Sequence, residues 1–413
     1  MDSLGNFLWS KSFGGTGDDR CFSIDIDASG NVYTSGDFEG TVDFNPGAGT
    51  YNLTSAGHHD IFVQKMDASG NFLWAKSFGG SSIVYTGSMS LDASGNIYTT
   101  GCFKNTADFN PGAGTYNLTA VGIFGVFVQK MDASGDFLWA KSFGGTGFDR
   151  GYSIDIDASG NVYTTGFFNG TVDFDPGAGT YNLTAGSSGS DTFVQKMDAS
   201  GNFLWAKSFE GTSSGSQGNS ISIEASGNVY TTGRFGGTVD FNPGVGTYNL
   251  TSAGSNDAFV QKMDASGNFL WAKSFGGSSS GNSISIDASE NIYTTGSFRG
   301  TVDFNPGAGT YNLTAAGIND AFVQKMSTSP TGINENSLST YFTVYPNPTN
   351  EILTLNTNVT FSAIRITNAV GKLVFEADEN NTLDVSSLKA GSYFIQLIGT
   401  EKQILTTEKF IKK

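Results

Sequence analysis

The tripeptide Phe-Leu-Trp begins at Phe7, Phe72, Phe137, Phe203 and Phe269, at steps of 65, 65, 66 and 66 residues. Asp-Phe-(Asn/Asp)-Pro-Gly recurs from Asp43, Asp108, Asp173, Asp240 and Asp303, and Phe-Val-Gln-Lys-Met from Phe62, Phe127, Phe193, Phe259 and Phe322. Five copies of one pattern restrict the fold to an array in which each supersecondary unit buries its apolar face against its neighbours. The five tryptophans, Trp9, Trp74, Trp139, Trp205 and Trp271, all fall inside this pattern.

Each unit reads as about four strands. In the second, alternation predicts strands over Asn71–Phe78, Met89–Asp92, Ile97–Asp108, Tyr116–Thr119 and Phe127–Met131, with Phe72, Trp74 and Phe78 on one face and Leu73, Ala75 and Ser77 on the other. The runs Asp-Ala-Ser-Gly-Asn at Asp67 and Asp-Ala-Ser-Gly-Asp at Asp132 have the chemistry of tight hairpin turns. Asp bonds the backbone two residues on, and Gly takes a positive φ. Antiparallel four-stranded units with no helical periodicity predict an all-β fold, a β-propeller of about five four-stranded blades spanning 1–326. Large residues of one blade are expected to meet small residues of the next. Met1–Asn6 aligns with Met66–Asn71, and the array ends at Met326 in the same phase. That phase would let Phe322–Met326 pair beside Asn6–Phe13 and close a ring. A start inside a longer gene is the favoured reading, because no charged segment followed by an apolar one precedes the repeats.

The runs Asp257–Trp271 and Ser159–Gly166 resemble the bacterial SBBP-type β-propeller repeat, over Met1–Met326. The units here are longer, through the Asp-Phe-Asn-Pro-Gly-Ala-Gly-Thr-Tyr-Asn-Leu-Thr insert. The resemblance implies an extracytoplasmic scaffold and no particular reaction.

After Met326 the repeat stops. A polar linker is expected over 327–340, with Pro330 and Gly332, followed over 341–413 by short alternating strands that suggest a small Ig-like β-sandwich. The motifs Tyr345-Pro346-Asn347-Pro348, Val370-Gly371-Lys372-Leu373-Val374, Leu388-Lys389-Ala390-Gly391-Ser392-Tyr393-Phe394 and Lys409-Phe410-Ile411-Lys412 resemble the type A sorting domain of the type IX secretion system. That resemblance implies the export machinery as a partner in a Bacteroidota-type bacterium, with the protein secreted or displayed on the outer cell surface. It also implies a signal peptide, which this chain does not show.

Charge narrows the partners. The chain carries a formal charge of −16. From Ser327 onward there are 7 Lys/Arg and 8 Asp/Glu of the total 22 and 38, which leaves 15 against 30 in the repeats. An acidic array with no basic stripe repels phosphate backbones, so nucleic acid is not an expected partner. No apolar run has the roughly 18–20 residues of a membrane-spanning helix.

The chemistry-bearing residues are few. Cys21 and Cys102 occupy different places in their repeats and are expected as free thiols. His58 and His59 are the whole histidine complement. On a strand adjacent residues face oppositely, so the pair reads as an exposed loop and no metal site is assigned. Asp-Phe-Asn-Pro-Gly reads as an Asx-capped turn, with a calcium loop as the minor alternative and the only cofactor considered. Residues present in all five units read as structural, because a catalytic centre needs its groups in one place. No catalytic residue is assigned. The informative positions vary: Asp37, Cys102, Phe167, Arg234 and Ser297 after the Thr-Gly or Ser-Gly pair, then Glu39, Lys104, Asn169, Gly236 and Arg299 two residues on. Such a mixed ring reads as a non-enzymatic scaffold binding glycan or protein. The alternative is a polysaccharide hydrolase or lyase using Asp37 and Glu39 with Arg234, since paired carboxylates within roughly 5–10 Å serve glycosidases.

Overall fold

The structure, a computed structural model, describes residues 5–186, 189–211, 215–327, 342–357, 361–378, 380–399 and 404–413. They fall in two compact units, Met1–Ser329 and Pro330–Lys413. The expected linker lies outside the described residues apart from Ser327. Among the described residues every regular element is a β-strand.

The hairpin turns form as their chemistry dictates. Asp67 Oδ1 accepts the amides of Ser69 and Asn71, its Oδ2 accepts Asn71 Nδ2, and Gly70 adopts a φ of 75°. Strands joined by these turns pair as antiparallel meanders. Sheet 1 comprises Arg20–Ile26, Val32–Phe38, Asp60–Met66 and Phe72–Phe78 in spatial order; sheet 2 comprises Val84–Leu91, Ile97–Phe103, Gly125–Met131 and Phe137–Phe143. Sheet 3 holds Arg150–Ile156, Val162–Asn169, Ser190–Met197 and Phe203–Gly211. Sheet 4 holds Ser216–Ile223, Val229–Phe235, Asp257–Met263 and the first half of the long strand Phe269–Ile286. That strand continues into sheet 5, where its second half pairs with Asn291–Asp303, itself paired to Asp320–Ser327.

Three expectations are corrected. The strand expected over Ile97–Asp108 breaks after Phe103, where Asn105 takes a φ of 61°. Thr106–Asp108 then pairs with Asn117–Thr119 as a separate hairpin. The Gln of each Phe-Val-Gln-Lys-Met strand ties that hairpin to its sheet: Gln129 Nε2 donates to Phe109 O at 2.7 Å, and Gln195 to Phe174 O at 2.6 Å. Asp108 Oδ1 accepts the amides of Asn110 and Tyr116, which makes the Asp-Phe-Asn-Pro-Gly segment an Asx turn.

Second, Phe72 and Trp74 lie on opposite faces. The register slips between Lys65–Trp74 and Met66–Phe72, so Leu73 is an extra residue and stands 47% exposed. A bulge of this kind breaks the period of two. Trp74 therefore packs with Tyr33 toward sheet 2, while Phe72 packs with Phe38 and Ala75 on the other face.

Each interface repeats one recipe. Tyr33, Ile61 and Val63 of sheet 1 meet Met89, Phe103, Phe127 and Ala140 of sheet 2. Tyr98, Val126 and Val128 meet Ile154, Phe168, Phe193 and Ala206 of sheet 3 in the same way. Trp139 reaches further, donating from Nε1 to Ala199 O in the next turn at 3.3 Å.

Third, the first and last segments do not pair. Among the described residues, Asp320–Met326 is paired along one edge alone. Residues Phe7–Phe13 instead make the contact that Phe137–Phe143 makes with sheet 3. Trp9 Nε1 donates to Ala68 O at 3.1 Å, and the Phe13 ring lies 5.4 Å from Phe44 and 5.5 Å from Phe62. Five repeats thus yield four four-stranded sheets and a fifth of three strands plus its hairpin.

The C-terminal unit places Phe342–Tyr345, Ile352–Thr357 and Thr382–Asp384 in one sheet and Leu373–Asp378, Ala363–Asn368, Gly391–Ile398 and Ile404–Lys412 in another. One core of Val344, Leu353, Leu355, Ile364, Ile366, Ile395, Leu397 and Phe410 draws on both. Thr382–Asp384 escaped the sequence reading because three residues are too few to show alternation.

Candidate functional site

The variable positions stand near one end of the second strand of each sheet, and pairing brings each a partner from the first strand. Arg20 faces Asp37, Tyr85 faces Cys102, Arg150 faces Phe167, Gln217 faces Arg234 and Ser280 faces Ser297. The first-strand partners were missed by sequence reasoning. Their signal was present, since each precedes its partner by 17 residues across a recognisable turn.

These ends converge over sheets 1 to 3. Asp37 is fully buried, and burial raises its carboxyl above the ordinary range, opposed by His59, Arg20 and, from sheet 3, Arg150. Cys102 in sheet 2 is also fully buried, which pushes its thiol up to about 12 against the pull of Arg150. Cys21 and Cys102 are both free, as expected. The Arg150 guanidinium lies 4.8 Å from the Tyr152 ring centre and 5.6 Å from that of Tyr85.

Around Arg150 runs a chain of rings. His58 stacks on His59 at 5.5 Å, His59 lies 5.7 Å from Tyr85, and Tyr85 stacks on Phe124 at 6.4 Å. Phe124 meets Phe148 at 4.9 Å, Phe148 meets Phe167 at 5.4 Å, and Phe167 meets Tyr152 at 5.8 Å. The pair lies in the loop before Asp60–Met66, as expected; His58 is exposed, whereas His59, bridged to Ile83, is largely buried, and both imidazoles approach acids. His58 Nδ1 is 3.7 Å from Glu39 Oε1, and His59 Nδ1 is 3.6 Å from Asp37 Oδ2. Where unit 1 has His58-His59, unit 2 has Ile123-Phe124, unit 4 Ser255-Asn256 and unit 5 Ile318-Asn319.

The remaining ring positions go elsewhere. Arg234, Ser297 and Arg299 line a polar hollow of about 250 Å³ with Asn256, Ser280 and Asn319 on sheets 4 and 5. Lys104 is exposed, with its amide donated to Ile83 O. Asn169 is half-buried and gives its amide to Asp149 Oδ1 at 2.9 Å.

In the C-terminal unit Asn347, Tyr393, Lys409 and Phe410 of the expected motifs meet at the last strand, and Gly371 lies in the turn at the opposite edge of its sheet. Asn347 accepts the Ile411 amide on Oδ1 and donates from Nδ2 to Lys409 O, at 3.0 and 2.9 Å. Tyr393 stacks on Phe410 at 5.6 Å and donates its hydroxyl to Lys389 O. Gly371 holds a φ of 79° in the turn that Asn368 caps, and Gly391 opens the Gly391–Ile398 strand. Tyr345, Pro346, Pro348 and Lys409 are exposed. Residues 343–413 match the family model of the secretion system C-terminal sorting domain.

The C-terminal unit is a sorting domain of that family. The domain sends the protein through the type IX secretion system to the cell surface or beyond it. Over 241 residues the chain is 25% identical to an uncharacterized WD repeat-containing protein of Acanthamoeba polyphaga mimivirus, a match covering 52% of this chain and 17% of that relative's length. A protein of unknown function from Bacteroides caccae is similar in structure with a TM-score of 0.32 and 10% identity, over 71% of this chain and 78% of that one. PorZ, a surface component of the type IX secretion system of Porphyromonas gingivalis, is similar with a TM-score of 0.26 and 12% identity, over 98% of this chain and 61% of that one. Among the described residues no helix is long and apolar enough to cross a membrane.

Proposed function

We propose that the protein is a secreted or surface-displayed, non-enzymatic β-propeller scaffold that binds a glycan, carried out of a Bacteroidota-type cell by its sorting domain. On this reading the sheets are blades of the SBBP repeat and the C-terminal unit is an Ig-like sandwich that engages the export machinery. The observation that supports binding is the chain of rings from His58 to Tyr152 with Arg150 against Tyr85 and Tyr152. Structural positions in this array are the same in every unit, whereas these rings occur in three adjacent units and give way to Gln217, Arg234, Ser280 and Ser297 in the last two. Sugars offer apolar C–H faces that pack on aromatic rings and hydroxyls that guanidinium and carboxylate groups bond. A glycan suits the site better than a protein surface, because Tyr85, Phe124, Phe148 and Tyr152 are half-buried and Phe167 is buried, so the site admits edges of small rings rather than a broad flat contact.

A glycan-array screen of the full chain, followed by calorimetry with the ligand found, tests this. Tyr85→Ala and Phe124→Ala should each weaken binding about tenfold or more, the loss of one stacking contact. Undiminished binding in both variants overturns the assignment. Release of a cleaved product, abolished by Asp37→Asn or Glu39→Gln, would replace it with the hydrolase or lyase reading.

A further inference from the structure

The glycan contacts proposed above do not explain why both histidines stand against acids. Glu39, His58 and His59 each present one ligand atom, and these atoms all lie within 4.8 Å of one another. Two imidazoles and a carboxylate are a donor set for borderline transition metals rather than for calcium or magnesium, which take all-oxygen shells. They are also the only two histidines of the chain, placed side by side where units 2, 4 and 5 have Ile-Phe, Ser-Asn and Ile-Asn.

A second observation points the same way. The Asp37 side chain is 1% exposed, and neither of its carboxylate oxygens has a hydrogen-bond partner. His59 Nδ1, 3.6 Å from Asp37 Oδ2, is likewise buried without one. A buried carboxylate is unfavourable unless a positive group donates to it, and Arg20 and Arg150 act on Asp37 by charge without bonding it. A metal-bound histidine supplies that group: with the ion on Nε2, the Nδ1–H is acidified and aimed at the carboxylate. This is the carboxylate–histidine–metal relay, in which the carboxylate sets tautomer and ring orientation.

We propose that Glu39, His58 and His59 hold a divalent transition-metal ion, with zinc as the representative ion, and that Asp37 is the positioning residue behind His59. Glu39 and His58 have side chains 40% and 68% exposed, so both can turn in to the metal–ligand distances of about 2.0–2.2 Å that zinc requires. Three protein ligands leave a fourth position open to water or to a ligand oxygen. The site opens beside Tyr85, at the start of the ring chain.

Calorimetric titration of the full chain with zinc chloride, with Cys21→Ser as background to remove the exposed thiol, provides the test. One ion should bind per chain. His58→Ala and His59→Ala should each weaken binding by about a hundredfold, and Asp37→Asn by about 10–100-fold with the stoichiometry kept. Cobalt in place of zinc should give visible absorption bands of a nitrogen–oxygen site, and these should shift in Asp37→Asn, which a merely structural role would not produce. Should Asp37→Asn fail to fold, the exposed His58→Ala decides alone. No zinc uptake by the parent chain, or equal uptake by His58→Ala, overturns the proposal.

Discussion

Ile24 and Ile154 hold the same place in the first and third repeats, yet Ile24 is 68% exposed and Ile154 4%. Val323 and Val128 differ likewise, at 76% and 0%. Local strand geometry is shared within each pair; what differs is whether a neighbouring sheet covers the face. An array therefore stores its hydrophobic stabilisation between units, not within them. The variable ring follows the converse rule. Asp37, Cys102 and Phe167 sit where strand ends converge beyond the repeated recipe, and there the residue type is free to differ from unit to unit.

Substitutions can break this comparison, and urea denaturation reads them. Phe193→Ala, at a fully buried ring in contact with Phe143 and Phe174, should cost about 3–5 kcal/mol. Phe7→Ala, at a ring 75% exposed, should stay within about 0.5 kcal/mol. Equal costs would mean that the end segment is covered in solution. Ile154→Ala should cost about 2–5 kcal/mol, and Ile24→Ala little. A large cost at Ile24 would show that its face has acquired a partner. Gln129→Leu should cost about 1–3 kcal/mol, because it strips the buried Phe109 carbonyl of its donor. Protease cleavage should then fall first in the hairpin 106–119, which loses its tie to the sheet.

The smallest effect concerns pH. The Asp155 carboxylate accepts the Ile223 amide across the interface at 2.8 Å and the Ile156 amide at 2.9 Å, and burial raises its carboxyl to about 6 from an ordinary 3.8. Between those values the folded chain holds a proton that the unfolded chain has released. Its contribution is therefore full below about pH 4 and is lost as pH rises through 6. Asp27 runs oppositely. Held down to about 2 by bonds from Asn31, Ser29 and Tyr33 that outweigh its desolvation, it supports the fold above pH 4, and this support is lost as pH falls toward 2. Asp155→Asn should flatten the change in melting temperature between pH 4 and 7, whereas Asp27→Asn should flatten it below pH 4. An unchanged profile in Asp155→Asn would show that this carboxyl titrates normally.

Much of this was legible beforehand. The turns at Asp67 and Asp132 could be read because their hydrogen bonds run to residues two and four places on, inside the same short segment. The face of Phe72 could not, because the bulge at Leu73 is set by pairing with the neighbouring strand. Asp37 and Glu39 were singled out by their variation alone. Arg150 and Tyr85 were not, although each stands 17 residues before a variable position; that Arg150 acts on Asp37 from two sheets away is marked by nothing local.

The sequence by itself determined the period, the turns and the export signal, since each depends on residues close together in the chain. Tertiary structure alone decided which repeats are covered, where the two histidines point and which acids they meet. Those outcomes depend on residues brought together from separate sheets, and no local preference encodes them.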